Sequence, residues 1–224
     1  MRARHRHFNA RDAGASLVLD ARYIAGLANA AAIGTWADRS RSGNDATQAT
    51  EANKPTYRTN ILNGNPVVRF DGTNDSLTSN AQVNQPSAFM AVWHPSSGGL
   101  VEYLVDGLGG SNRQAVIAYS IALGSEVVVF AGSELFAGTR TESFQIVSAV
   151  FNGSSSSLTR NGSVAASGNA GAQNTTGTKI GSRFNNEFYL NGEIAMLLLM
   201  ASPSAPLRKR CEHSSAFSFK IACS

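Results

Sequence analysis

Residues 145–167 read QIVSAVFNGSSSSLTRNGSVAAS, and this stretch decides the fold class. Ile146, Val147, Ala149, Val150 and Phe151 make a short apolar run rich in β-branched and aromatic side chains, which suits a pleated strand better than a helix. Asn152-Gly153 and the serines after it supply a turn. Leu158-Thr159-Arg160 then leads into Asn161-Gly162, and Val164-Ala165-Ala166 returns. Asn-Gly provides the positive φ that tight hairpin turns require. The stretch is therefore expected to fold as consecutive antiparallel strands.

Working outward, the same pattern recurs along the chain. Strands are predicted at 16–19, 66–70, 76–78, 88–93, 101–104, 115–119, 127–130, 145–151, 157–160, 163–166, 178–180 and 188–200. Turn clusters separate them: Asn63-Gly64-Asn65, Asp71-Gly72, Ser97-Gly98-Gly99 and Gly109-Gly110. No long amphipathic helix intervenes, which argues against an α/β design. A helical pattern shows only at the C-terminus, where Leu207, Cys211, Phe217 and Ile221 fall at near-helical spacings behind Pro206, a residue suited to a first helical turn. Composition agrees. Charged residues make up only 15% of the 224, and 21 glycines stand among many Ser, Asn and Thr, as expected of strands joined by polar turns. The predicted fold is all-β: a two-sheet antiparallel sandwich over 14–205, with a short C-terminal helix over 206–224 packed on it and a basic arm over 1–13.

The net charge of +4 is unevenly placed. Arg2, Arg4, Arg6 and Arg11 precede the first acid, Asp12, and the remainder carries 15 basic against 15 acidic residues. A neutral body exerts no long-range pull on nucleic acid or an anionic membrane, so neither is an expected partner. The four arginines are the candidate contacts to a neighbouring protein subunit, the bland alternative being a solvated tail. Cys211 and Cys223 match no metal spacing and are expected to be idle thiols. The most apolar stretch, Ile194–Ala201, has eight residues, too few to span a membrane, and no export signal is legible near the N-terminus.

Several segments resemble, in order, the laminin-G-like jelly-roll family of the concanavalin A-like superfamily. These are Leu17-Val-Leu-Asp-Ala21, Trp36-Ala-Asp-Arg-Ser40, Gly43-Asn-Asp-Ala-Thr47, Pro66-Val-Val-Arg-Phe-Asp-Gly72, Phe151-Asn-Gly153, Leu158-Thr-Arg-Asn-Gly162, Lys179-Ile-Gly-Ser-Arg183 and Phe188-Tyr-Leu-Asn-Gly-Glu-Ile194. The resemblance implies two curved antiparallel sheets and a role in glycan binding, adhesion or assembly, as in bacterial surface proteins and phage virions. It also implies a structural calcium near the loops. The chain departs from the family at Ala195, where an acid is usual.

Candidate chemistry is sparse. Glycoside hydrolysis needs two carboxylates facing one another across a cleft, and Glu126, Glu134 and Glu142 stand isolated. No nucleophile elbow is present, and the four histidines form no metal set. Calcium is the one cofactor carried forward: Asp71, Asn74 and Asp75 make an oxygen-rich turn, with Glu193 as a further ligand, although such residues also form ordinary turns. For sugars, exposed rings stack and amides bond hydroxyls. Trp36, Trp93, Tyr57, Tyr103 and Phe184 are the available rings, the two tryptophans lying in apolar runs that suit a core. Trp36 and the loop Phe184, Asn185, Asn186 are taken as ligand-binding residues. The leading expectation is a non-catalytic structural or attachment protein on the surface of a virion-like particle or a cell. The alternative is a lectin-like carbohydrate-binding module, and a carbohydrate-active enzyme comes third.

Overall fold

The structure is a computed structural model that describes residues 14–96, 100–119, 123, 124 and 126–222. Arg2, Arg4, Arg6, Arg11 and Cys223 lie outside the described residues. Sixteen strands are found among the described residues: β1 (Ala15–Asp20), β2 (Thr35–Trp36), β3 (Ala46–Thr47), β4 (Thr56–Leu62), β5 (Asn65–Asp71), β6 (Leu77–Ser79), β7 (Ser87–Pro95), β8 (Val101–Gly107), β9 (Ala115–Tyr119), β10 (Glu126–Phe130), β11 (Glu134–Thr139), β12 (Gln145–Phe151), β13 (Ser156–Arg160), β14 (Ser163–Gly168), β15 (Thr178–Ile180) and β16 (Asn191–Ala201). They form two antiparallel sheets, so the all-β two-sheet sandwich stands as expected. Sheet A runs β14-β13-β12-β7-β16-β5-β4, and β1 also joins β16. Sheet B runs β11-β10-β9-β8-β15-β6-β3-β2.

The stretch that opened the sequence reading forms β12, β13 and β14. Val147 pairs with Arg160 and Leu158 with Ala166, and Asn161 (φ 48°) with Gly162 (φ 87°) closes the second hairpin. Central to sheet A is β16. Its first half pairs with β5, its second half with β1, and β7 flanks it throughout; a bulge between Ile194 and Met196 marks the changeover.

Alternation along the strands builds two layers of core. Phe89, Ala91 and Trp93 point between the sheets with Leu17, Leu19, Phe70, Leu104, Val116 and Leu197. Met90 and Val92 point the other way, beneath the helix α1 (Ala205–Phe219), whose Cys211, Ala216 and Phe219 pack on Ile146, Leu198 and Val67. Sheet A is thus covered on both faces, which explains why β7 and β16 read as continuous apolar runs. The helix starts where Ser204 Oγ accepts the Leu207 N–H at 3.3 Å, with Pro206 in its first turn, and ends at Lys220 in the left-handed conformation (φ 53°). Cys211 is a buried free thiol, pushed up to about 12 by burial and then by Glu212.

Sheet B is different. Its outward face carries no helix among the described residues but a separate cluster, Tyr103, Ala115, Ile117 and Val128, bordered by Val101, Tyr119 and Phe130. At one side of the sandwich the edge strands of the two sheets meet. There the Arg160 guanidinium donates to the carbonyls of Ala137, Gly138 and Thr139, occupying acceptors that β11 would otherwise expose.

Candidate functional site

The outward face of sheet B and the loop beside it concentrate the unusual features of the molecule. Tyr103 rises from β8 and Phe130 from β10, and the loop after β15, residues 181–190, continues alongside β8. Gly181 N–H donates to Leu104 O at 3.1 Å and Tyr103 N–H to Phe188 O at 3.1 Å, so the loop is stitched to β8 where β15 has ended. Within it, Arg183 N–H donates to Glu187 O (2.9 Å) and Asn186 N–H to Arg183 O (3.0 Å). Asn186 (φ 60°) and Phe188 (φ 52°) both adopt the left-handed conformation. Asn tolerates this region; a bulky aromatic there is an outlier that surrounding contacts must hold. Those contacts are the Tyr103 ring, 6.1 Å away and stacked, and the Arg183 guanidinium at 5.7 Å. Phe188 is nonetheless 43% exposed.

Beneath the loop lies a buried ion pair. Arg113 Nη1 donates to both carboxylate oxygens of Asp106 at 2.9 Å. Asp106 also accepts from the N–H groups of Gly107 (2.9 Å) and Phe184 (3.1 Å). Burial pushes the Asp106 carboxyl above its ordinary range, and Arg113 opposes that rise. Three rings surround the guanidinium: Phe130 at 4.6 Å, Phe184 at 5.5 Å and Tyr103 at 5.7 Å. One carboxylate therefore fixes the loop backbone at Phe184 and the cation on which the rings lie. Further along the face, Tyr119 OH donates to Glu134 Oε1 at 2.7 Å and its ring tilts toward Phe136, which is 48% exposed.

The expected ligand-binding residues separate into two groups. Phe184 is half-buried and Asn185 and Asn186 are exposed together in this loop. Trp36 is not with them. It is 1% exposed and packs between the sheets, so it offers no ring to a ligand. Sequence reasoning placed Phe188 in the last strand and overlooked Asp106, Arg113, Phe130 and Phe136. The polar run Asn185-Asn186-Glu187 just before Phe188 was a signal that a loop still continued there, and Asp106 and Arg113 flank the Gly109-Gly110 turn.

The oxygen-rich turn is held by its own backbone. Asp71 Oδ1 accepts from the backbone N–H groups of Thr73 (2.8 Å), Asn74 (3.2 Å) and Asp75 (3.4 Å), and Asp75 Oδ2 accepts from Asp71 N–H at 3.1 Å. Glu193 is engaged elsewhere, held by Arg69 Nη2 at 2.7 Å and His94 Nδ1 at 2.6 Å. Burial would raise Glu193, but those two partners outweigh it and hold its carboxyl below the usual range. No group of three metal-ligating side chains occurs among the described residues. The turn is a self-capped backbone motif, and Glu193 is committed to Arg69 and His94.

The same turn carries a pH dependence. Burial, then the Asp71 charge, raises the Asp75 carboxyl from 3.8 to about 7. A carboxyl raised on folding contributes stability that is complete below its unfolded value and is lost as pH climbs through its folded one, here from about 4 to about 7. Asp75→Asn, which mimics the protonated form, is expected to raise the melting temperature at pH 8 by about 2–5 °C and to leave it unchanged at pH 4. Equal gains at both pH values would show that Asp75 does not titrate in this window.

No family model matches the sequence, and no curated protein matches it. Solved structures do. An arabinofuranosidase complexed with arabinofuranosyl-alpha-1,2-xylobiose superposes with a TM-score of 0.69 at 12% identity, over 94% of this chain and 64% of that one. Trypanosoma rangeli sialidase in complex with sialic acid gives 0.61 at 15%, over 91% and 33%, and the botulinum neurotoxin serotype G binding domain gives 0.62 at 10%, over 92% and 51%. This chain therefore spans only a third to two-thirds of the chains it resembles, and at these identities the shared property is the fold. The neighbours correct two expectations. They are mainly carbohydrate-active enzymes, with nothing that speaks for a virion or assembly component, so that leading reading is overturned. The exclusion of enzyme activity is withdrawn with it, because two of the three structures named above are glycosidases.

Proposed function

We propose that this chain is a lectin-like carbohydrate-binding sandwich of the laminin-G and concanavalin A-like kind, with its ligand on the outward face of sheet B. The observation that carries the reading is Phe188: an open ring held in a disfavoured backbone conformation, stacked on Tyr103 and next to the exposed amides of Asn185 and Asn186. Backbone outliers of this sort concentrate where a side chain must be presented. Rings stack on the apolar faces of pyranoses and furanoses while amides bond their hydroxyls. Structural neighbours crystallised with an arabinofuranosyl-xylobiose and with sialic acid add support from the fold.

A glycan array followed by titration calorimetry tests the reading. Phe188→Ala and Phe184→Ala are each expected to weaken a saturable glycan by roughly tenfold, about 1.4 kcal/mol, with the melting transition retained. Binding unaffected by both substitutions would move the site off this face. The same samples incubated with arabinoxylan and sialylated glycans report on chemistry: released sugar would make the face a catalytic one rather than a binding one.

A further inference from the structure

We infer that this face takes uncharged sugars and discriminates against those bearing a carboxylate. The inference rests on the carbohydrate-binding reading and adds the charge class of its ligand.

A sugar carboxylate is held best by a guanidinium fork free to bond both its oxygens. Each described cation at the face is already occupied. Arg113 is spent on both oxygens of Asp106 under the rings of Tyr103, Phe130 and Phe184. Arg183 pairs within its own loop with Glu187 Oε2 at 3.3 Å, and its guanidinium lies between Phe184 (5.3 Å) and Phe188 (5.7 Å). Lys179, opposite Asp106 in the sheet, is buried with its ammonium 3.3 Å from Thr78 Oγ1. The groups left facing water are of the other kind. Glu187 and Glu134 are exposed carboxylates, and Asn185 and Asn186 are exposed amides. Sugar hydroxyls can donate to the carboxylates and bond the amides. A sugar carboxylate meets like charge at Glu187 and Glu134, and to gain a guanidinium it must compete with Glu187 for Arg183 or break the buried Arg113–Asp106 pair.

The Arg183–Glu187 pair makes the inference testable by gain of function. Glu187→Gln removes the competing carboxylate and keeps an oxygen to accept from Asn185 Nδ2, which now bonds Glu187 Oε2 at 2.8 Å. Calorimetry would compare neutral arabinoxylo-oligosaccharides with sialylated and uronate-bearing oligosaccharides of similar length. For the wild-type chain the neutral sugars are expected to bind at least about tenfold more tightly. Their affinity should stay flat between about 50 and 500 mM salt, since no net charge is neutralised. Glu187→Gln should raise affinity for the carboxylate sugars about five- to tenfold, and so narrow or reverse the preference for neutral ones. Adding Arg183→Gln should erase the gain, which ties it to the released guanidinium. Carboxylate sugars binding the wild-type chain as tightly as neutral ones, or no gain in the folded Glu187→Gln variant, would overturn the charge-class inference while leaving the carbohydrate reading intact. A folded wild-type chain that binds none of these sugars overturns both.

Discussion

Arg113→Ala should lower the stability of the fold by about 3–5 kcal/mol at neutral pH, because it strands a carboxylate with no access to water. Asp106 is fully buried, and two of its four hydrogen bonds come from Arg113. With the guanidinium gone, only the Gly107 and Phe184 N–H groups oppose burial at a carboxyl that already lies above its ordinary range. It escapes the penalty only by taking up a proton. The variant's remaining stability is therefore largest at low pH and is lost as pH rises, so urea unfolding at pH 5 and pH 8 should show the larger deficit at pH 8. Replacing the pair together, as Asp106→Asn with Arg113→Met, should cost much less than the sum of the single changes, since no charge is then left unpaired. Loss of glycan affinity should accompany the single substitution, because Phe184 rests on the Arg113 guanidinium and donates its N–H to Asp106. A deficit below about 1 kcal/mol at pH 8 would mean that solvent reaches Asp106 after all.

Gly181→Ala is the second large effect. Gly181 has φ +81°, and a Cβ placed on it would lie 2.3 Å from Cδ1 of Phe70, a fully buried core ring. The left-handed backbone costs an L-residue about 1–2 kcal/mol, and overpacking a closed core adds about 1–3 kcal/mol. Gly181 also anchors both ends of the candidate loop: its N–H bonds Leu104 O and its carbonyl accepts from Leu190 N–H. Displacing it should shift Phe184 and Phe188 together. Gly138→Ala is the matched control, with φ +70° but nothing within 4 Å of the added carbon. It should cost about 1 kcal/mol and leave binding unchanged. Denaturation midpoints that fall equally in the two variants would show that the Phe70 contact is not the cause.

Most strands read from the sequence have two neighbours or a buried face, the edge strand β14 being legible through its Asn161-Gly162 turn, and the missed ones share a cause. β2, β3, β4 and β11 lie at or next to sheet edges. β2 and β3 have two residues each, too few to show any period. In β4, Thr59, Asn60 and Ile61 are all exposed, and in β11 the pattern alternates poorly because one flank faces solvent. The Trp36-Ala-Asp-Arg-Ser40 motif proved structural. Asp38 accepts from the N–H groups of Val18, Ser40 and Asn44, tying the loop to the first strand, and Trp36 fills the core. A two-residue strand gives no alternation from which to tell inward from outward, so that ring was misassigned. The candidate loop was legible because its amides and aromatic lie together in the chain. The platform under it was not, because Tyr103, Arg113 and Phe130 come from separate stretches that only lateral strand pairing unites.

The position of β16 has a consequence for biosynthesis. The strand that binds β1, β5 and β7 together is the last one in the described chain. Until the ribosome has released Ala201, nascent β1, β5 and β7 have no common partner and present open hydrogen-bonding edges. Folding of the sandwich must then wait until β16 has emerged and must close contacts between strands far apart in sequence, a high contact order that makes it slow. A message truncated before residue 191 would yield a sticky, protease-sensitive product, and chaperone retention of such nascent chains is the expected cellular signature of this design.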